Sequence, residues 1–541
     1  MGDFSSEYFP PNSSTCFFLI SHLWSLSSGP SLGIPLCALS FVLRCGPNYL
    51  VMAQNNTPPL PEGIFSLLDT DLYKLTMQCA VLKYFPDVYV TYGFTNRTPD
   101  MKLTRGAYKW LLAQLDALAN IRVTNEEIEF LKKWCPYFNH AYLDYLTNLK
   151  LKPSEQIEVH FTPEQDTGSE DDLGNVNYVI KGLWVETILY EIPLLALTSQ
   201  AYFMFTDKDW DYSCQEDKAF RKGCALLENG CIFSEFGSRR RRDYHTHDLV
   251  MQGLMHAAEE GKKQGWKGVF TGTSNVHFAM KYGVAPVGTV AHEWYMTIAA
   301  ITDDYENANE MALRYWLGCF GEGVLGVALT DTFGTPAFLD AFRKPIPAFT
   351  SAGVGAISTT ASGPGTTTES AVQSEATTKP PIAAPLVNDA QGEHANKTYA
   401  QVYTGVRQDS GDPTYFVKMV RDFYDREGVK DPKTIVFSDS LDIEHCLEYK
   451  VIAEEAGFKP VFGVGTFFTN DFTNKSDGAK SKPLNIVIKI ATANGRPAVK
   501  LSDNMGKNTG DKETVQSVKK KLGYVEHQWE EGDESNRWAR K

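Results

Sequence analysis

The sequence predicts an α/β protein whose larger part is a parallel barrel, closed or nearly so. Three observations carry this. From about Gly230 onward, a unit of short apolar strand, small or polar strand end and following helix recurs. Strands alternating with helices imply a parallel sheet, and six such units in one run favour a barrel over a small doubly wound sheet. The stretch before the units mixes α and β with no fixed repeat, and one further strand near the C-terminus stands outside the series.

Residues 1–63 read as an N-terminal extension. Its apolar runs, Cys16–Trp24 and Leu32–Leu43, fall short of the roughly 18–20 residues a membrane span needs. It carries Asp3 and Glu7 and no Lys or Arg before Arg44, which fits neither a secretory signal nor a mitochondrial transit peptide. A poorly ordered segment is expected, with Met52 as an alternative start. Folding begins near Ile64. Ser66–Tyr73 leads into a helix reaching Leu82. Val88, Val90, Tyr92 and Phe94 alternate as a strand. Helices follow at Gly106–Ala119 and Asn125–Trp134, then a polar loop at 165–175 and a strand at Tyr178–Leu183.

The six barrel strands end at 269–274, 286–289, 327–332, 402–409, 435–440 and 461–466. Asp412-Pro413 caps one helix. Ser440 is positioned to cap another that runs to Ala456, with Gly457 as its stop. Residues 346–399, rich in Ser, Thr, Gly, Pro and Ala, interrupt the series. Such a composition cannot bury enough apolar surface to offset its ordering entropy, so a disordered insertion is expected. Leu484–Ile490 reads as a strand and 511–522 as a helix, both expected to pack on the N-terminal region. The domains are then 64–200 completed by 475–541, and the barrel, 201–474.

With 541 residues, 43% of them hydrophobic, the chain can bury a large core in two or three domains. Its net charge of -14 argues against a general nucleic-acid binder, whose affinity comes from Lys and Arg neutralising phosphates. Any phosphate chemistry must use local basic groups. The ten cysteines include no C-x-x-C pair, which argues against a zinc site. Their apolar surroundings fit a reducing, cytoplasmic compartment.

Several groups could carry chemistry. In Gly463-Val-Gly465-Thr466, two close glycines let backbone N–H groups approach a phosphate; a tight turn accounts for them equally well. Arg239–Arg242 follow a short apolar run. They suit an anion site, where one or two should reach the ligand, although a solvated patch or nuclear-localisation signal has the same composition. Arg407 could bind a carboxylate or phosphate, and Asp409 a ribose hydroxyl or a magnesium ion. Asp412 is explained as a helix cap. His292, beside Glu293 and just after a strand end, could be a nucleophile oriented by a carboxylate. Spacing alone does not separate that role from a structural one. His245 and His247 read as surface residues. Tyr73 and Phe236 could stack on a flat ligand or belong to the core.

Taken together, these stretches resemble the nicotinate phosphoribosyltransferase family in a fungal-type form. The matching motifs are Ser66–Met77, Phe233–Arg240, Gly272–Asn275, Gly288–Glu293, Leu329–Thr335, Gly405–Pro413 and Gly463–Thr466, in the family's order. The likeness runs from Ile64 to the C-terminus except for 346–399. It implies a type II phosphoribosyltransferase fold, an irregular α/β barrel beside an α/β domain built from both chain ends. It implies conversion of nicotinate and phosphoribosyl pyrophosphate to nicotinate mononucleotide and pyrophosphate in NAD salvage. ATP hydrolysis would be coupled through a phosphohistidine at His292, with magnesium (Mg2+) required.

By motif, Tyr73, Thr289 and Arg407 would contact nicotinate and Phe236 would stack on its ring. Arg239, Gly463, Gly465 and Thr466 would hold ribose-phosphate or pyrophosphate. His292, Asp409 and Glu293 would form the catalytic group; metal ligands are unassigned. Related nicotinamide enzymes place an aspartate at the position of Ser274, so a serine there favours nicotinate. The implied protein is a monomer or homodimer with no nucleic-acid or membrane partner. It is cytoplasmic, with the nucleus left open by the basic run. Nicotinamide or quinolinate transfer, and a non-catalytic sensor of phosphoribosyl pyrophosphate, are the competing readings. All of this requires the segments carrying Phe236, His292, Arg407 and Gly465 to meet at one mouth.

Overall fold

Two distant parts of the chain supply the strands of the first sheet. The computed structural model describes residues 60–347, 397–504 and 508–525; the predicted extension up to residue 59 and the insertion over 348–396 lie outside the described residues. Strands β1 (Tyr89–Asn96), β2 (Leu103–Thr104), β3 (Ile157–Pro163) and β4 (Leu173–Leu183) pair antiparallel. In β1, Val90 and Tyr92 turn inward and Thr91 lies between them, the period of two that predicts the strand.

Seven parallel strands follow: β5 (Ile232–Glu235), β6 (Val269–Thr273), β7 (Ala285–Pro286), β8 (Val327–Leu329), β9 (Gly405–Gln408), β10 (Thr434–Phe437) and β11 (Lys459–Val464). Their order across the sheet is β7-β6-β5-β11-β10-β9-β8. All six expected strands are present. The seventh, β5, lies inside the sheet between β6 and β11. Among the described residues the edge strands β7 and β8 do not pair, so the curled sheet is a half-barrel and not a closed one. Strands β12 (Ile486–Ala493) and β13 (Arg496–Pro497) then return to the first sheet, β12 pairing antiparallel with β1.

Three local expectations change. The helix Lys512–Leu522 does not join the N-terminal sheet. Leu522 and Tyr524 share a cavity wall with Phe333, Tyr415 and Phe416 of the barrel, and the Tyr524 hydroxyl donates to the Ser502 carbonyl at 2.5 Å. The buried side chains of that helix are Val515 and Val518.

The helix Ile443–Glu455 is capped by Asp442, which accepts from the His445 N–H at 3.0 Å. Ser440 instead adopts a left-handed backbone, φ +53°, and faces a cavity. The insertion is also narrower than its composition suggests. Ile346 and Tyr399 are buried, and the Ile346 N–H donates to the Lys397 carbonyl at 2.9 Å. The chain therefore leaves and re-enters the fold at one point.

The run Trp184–Phe205 is long and apolar enough to cross a membrane by composition, yet it is buried within the protein as a core segment. No disulfide joins the described cysteines.

Candidate active site

Strand ends of the half-barrel and the facing strand β12 enclose a cavity of about 130 Å³. Phe236, His292, Arg407 and Gly465 come from four different segments, and all four line it. The required convergence is present.

Two aromatic rings, Tyr73 and Phe236, line its wall. Gly463 explains where Phe236 lies: a Cβ there would come within 2.3 Å of the phenyl ring. Gly463 is thus the seat of the ring. Of the two glycines, only Gly465 lines the cavity, together with Thr466. The phosphate role expected of Gly463 gives way to close packing. Ser274 and Ser238 both donate to Asp71 Oδ1, at 2.8 and 2.6 Å. Burial raises the Asp71 carboxyl, and the two hydroxyls oppose that rise. The cavity therefore holds a carboxyl beside Ser274, which sequence reasoning did not foresee. Thr289 takes part through its backbone, its carbonyl accepting from Thr76 Oγ1 at 2.6 Å, while its neighbours Gly288 and Ala291 line the cavity.

The four consecutive arginines divide in two. Arg239 and Arg240 reach the cavity. Arg241 forms a two-pronged bond to Asp69, at 2.8 and 2.7 Å, and Arg242 lies 3.6 Å from the Phe203 ring centre and 4.0 Å from that of Phe472. Both are buried and build the wall. His247, expected at the surface, is also fully buried. Its Nε2 lies 2.8 Å from Glu235, whose carboxylate further accepts from Thr273 Oγ1 at 2.6 Å and from the Gly237 N–H. The helix Tyr244–Gln264 turns this face onto the sheet, where a buried carboxylate needs a donor. His245 is half-buried, 4.6 Å from the Tyr212 ring centre.

Charged groups gather around His292. His292 is the first residue of the helix His292–Thr302. Its Nδ1 lies 3.0 Å from Thr332 Oγ1, and its Nε2 lies 2.9 Å from both Asp409 Oδ2 and Lys500 Nζ. Burial and the Lys500 ammonium push the imidazole down to about 4, so it is neutral near pH 7. Against the burial that would raise it, Arg407 and His292 hold the Asp409 carboxyl well below the usual range. Ser438 donates to its other oxygen at 2.8 Å. Arg407 donates to the Val290 carbonyl at 3.0 Å, but its Nε, 3.8 Å from Asp409, makes no hydrogen bond among the described residues.

Glu293 does not orient His292. Successive helical residues point to different sides, and Glu293 is taken up by Lys74 (2.5 Å), Tyr92 Oη (2.7 Å) and Trp184 Nε1 (2.8 Å). It borders the cavity as part of a buried ion group in which Lys74 also meets Glu191 at 2.5 Å. The orienting carboxylate is Asp409.

Sequence reasoning gave no role to Asp331, Lys489 or Lys500. Asp331 lies two residues past the end of β8 and 3.3 Å from Lys500, and its Oδ1 makes no hydrogen bond among the described residues. Lys489 lines the cavity from β12, where burial is the main influence pushing its amine down to about 8. A lysine within the apolar run Ile486–Ile490 was a usable signal. Lys500, distant in sequence from His292, left none.

Comparison with known proteins agrees with this architecture. The family model for the nicotinate phosphoribosyltransferase (NAPRTase) N-terminal domain matches residues 68–199. The model for the nicotinate phosphoribosyltransferase (NAPRTase) family matches 231–352 and 370–526. Nicotinate phosphoribosyltransferase of Saccharomyces cerevisiae is 44% identical over 88% of this chain and 99% of its own, and that of Methanosarcina mazei 36% identical over 84% and 96%. A Saccharomyces cerevisiae crystal structure from this family superposes with a TM-score of 0.73 at 43% identity, covering 86% of this chain and 99% of its own. One from Porphyromonas gingivalis gives 0.67 at 29%, covering 85% and 100%. With two family models spanning most of the described chain and close relatives matched nearly end to end, this chain belongs to the nicotinate phosphoribosyltransferase family.

Proposed function

We propose that this protein joins nicotinate to the ribose of phosphoribosyl pyrophosphate, forming nicotinate mononucleotide and pyrophosphate for NAD salvage, with ATP hydrolysis coupled through a phosphohistidine at His292. The observation that carries the reading is that one cavity is lined by two aromatic rings, a neutral histidine and several cations. Tyr73 and Phe236 suit a flat pyridine, and Arg407 suits a carboxylate. Arg239, Arg240, Gly465 and Thr466 suit the phosphates.

In this mechanism the C1–oxygen bond to pyrophosphate breaks early, and the nicotinate nitrogen attacks an oxocarbenium-like ribose. The protein contributes positioning and charge complementarity to the departing group. A neutral imidazole fixed by Asp409 is the form that can accept a phosphoryl group. The phosphoryl group, taken from ATP as ADP departs, adds negative charge at His292, which tightens binding and drives product formation.

The donor set fits a magnesium ion. Ligand atoms of His292, Asp331 and Asp409 lie within 4.8 Å of one another, and magnesium takes one or two carboxylates plus substrate phosphates. Asp331 and Asp409 would hold it, and it would supply charge neutralisation of the phosphates. Because Tyr73 and Phe236 of one chain line the same cavity, a monomer carries both walls of the slot. The proposed setting is the cytoplasm.

The test is a product assay with nicotinate, phosphoribosyl pyrophosphate and magnesium, with and without ATP, run in parallel with nicotinamide and quinolinate. Nicotinate mononucleotide formed faster with ATP is expected. Preference for another pyridine, or binding without turnover, overturns the reading.

A further inference from the structure

Lys500 reaches His292 from outside the barrel, and something must hold it there. It belongs to a short segment, Lys500–Asn504, that follows β13. This segment is tied to two strand-end loops at once. The Leu501 N–H donates to the Thr332 carbonyl at 2.8 Å. Asp503 takes both donors of Thr335, the N–H at 2.8 Å and the hydroxyl at 2.6 Å. Its own N–H donates to Ser410 Oγ at 3.0 Å, and Asn504 accepts from the Gly411 N–H at 2.7 Å. Ser502 between them adopts a left-handed backbone, φ +69°, a conformation that persists only where surrounding contacts over-determine it.

The contact that matters is the next one. Ser410 Oγ accepts from Asp503 and donates its proton to Asp331 Oδ2 at 2.5 Å. That carboxylate faces Lys500 at 3.3 Å, and Lys500 faces His292 Nε2 at 2.9 Å. Ser410 and Asp503 do not line the main cavity; both border a second cavity behind it. Beyond the backbone link from Ser410 to Asp409, they reach the histidine site through Asp331 and Lys500.

We propose that Ser410 and Asp503 are positioning residues for the phosphoryl-transfer half of the reaction. They fix the Asp331 carboxylate, and through it the Lys500 ammonium against His292, while leaving the pyridine and ribose sites untouched. The proposal deepens the phosphohistidine reading and rests on it. A histidine that must be neutral, yet sits beside an acid and a cation, is sensitive to small displacements of either. A chain of bonds anchored in the backbone of two loops sets both.

The experiment compares the full-length wild type with Ser410→Ala, Asp503→Ala and Asp503→Asn. Three quantities are followed: acid-labile phosphohistidine formed from ATP, nicotinate mononucleotide made without ATP, and ATP consumed per product. Thermal melting confirms that each variant is folded. Ser410→Ala and Asp503→Ala should form phosphohistidine about a hundredfold more slowly, the scale expected when a reacting group is displaced by about an ångström. ATP-independent transfer should fall far less than phosphohistidine formation. Asp503→Asn, which keeps an acceptor for Thr335 and the backbone donor to Ser410, should recover most of the loss.

Wild-type phosphorylation in Ser410→Ala overturns the inference. So does a parallel fall of all three quantities, which would make the segment merely structural. A wild type that forms no phosphohistidine removes the underlying reading as well, and is recognised before any variant is made.

Discussion

Two histidine–carboxylate pairs stand in this half-barrel, and they differ in what remains unsatisfied. His247 and Glu235 are both fully buried and 2.8 Å apart. Thr273 and the Gly237 N–H fill the remaining capacity of Glu235, and Arg241 faces the other imidazole nitrogen at 3.4 Å. His292 and Asp409 are 2.9 Å apart, but Nε2 also faces Lys500, and Asp331 Oδ1 and Arg407 Nε are left without hydrogen bonds among the described residues. The first pair is a closed unit that holds the loop bearing Phe236. The second is an open one, with acids and cations arranged for a partner not yet there. Of these two pairs, the one with unsatisfied polar groups beside it is the one that lines the cavity.

The sharpest way to break this comparison is to remove each histidine. His292→Ala should reduce coupled ATP hydrolysis by at least about a thousandfold, the scale of losing a reacting group. Slow ATP-independent formation of nicotinate mononucleotide should persist. Full ATP coupling in this variant, measured by phosphate release per mononucleotide, would take His292 out of the scheme. His247→Ala should act on stability instead. It strands Glu235 in the interior, a loss of about 3–5 kcal/mol for breaking a buried pair. Urea unfolding reads this directly. A variant of unchanged stability and collapsed turnover would mean that His247 is chemical and the distinction is false.

A smaller effect tests the loop between the pairs. Gly463→Ala brings a methyl group within 2.3 Å of the Phe236 ring, and overpacking of this kind costs about 1–3 kcal/mol. If the ring is the pyridine stacking surface, KM for nicotinate should rise about tenfold, which corresponds to about 1.4 kcal/mol. KM for phosphoribosyl pyrophosphate should change little. The reverse split would return Gly463 to the phosphate site.

The pairs also show what a sequence can and cannot display. Strands β6 to β11 were legible because each is an apolar run that ends in small or polar residues. Strand β5 was passed over because its four residues lead straight into Phe236 and the arginines, which drew attention as a motif. Phe236, His292, Arg407 and Gly465 were found because strand ends are where a parallel barrel gathers function, a rule that needs only local pattern. The partners of His292 were not, because Lys500 lies 208 residues away and Thr332 40 residues away, with Asp331 next to it in the same loop. Glu293 was chosen by adjacency in the chain, and helix geometry points adjacent residues apart. His247 looked exposed because nothing local tells which face of the helix Tyr244–Gln264 meets the sheet.

The smallest expected effect concerns how the open pair is supported. Burial, then the nearby Asp331 charge, pushes the Asp503 carboxyl up to about 7. In an unfolded chain an aspartate titrates near 3.9. The folded state therefore holds this proton more tightly. Its favourable contribution is complete below about pH 3.9 and is lost as the pH rises through about 7. Asparagine cannot titrate, so Asp503→Asn should gain stability relative to wild type as the pH rises across this window, with the difference levelling off above it. Urea unfolding of both proteins from about pH 5 to about pH 8 measures the trend. A difference that is constant with pH would mean that Asp503 is ionised throughout. The support behind His292 would then be a charge and not a neutral hydrogen-bonding group, and Asp503→Asn would no longer be its conservative replacement.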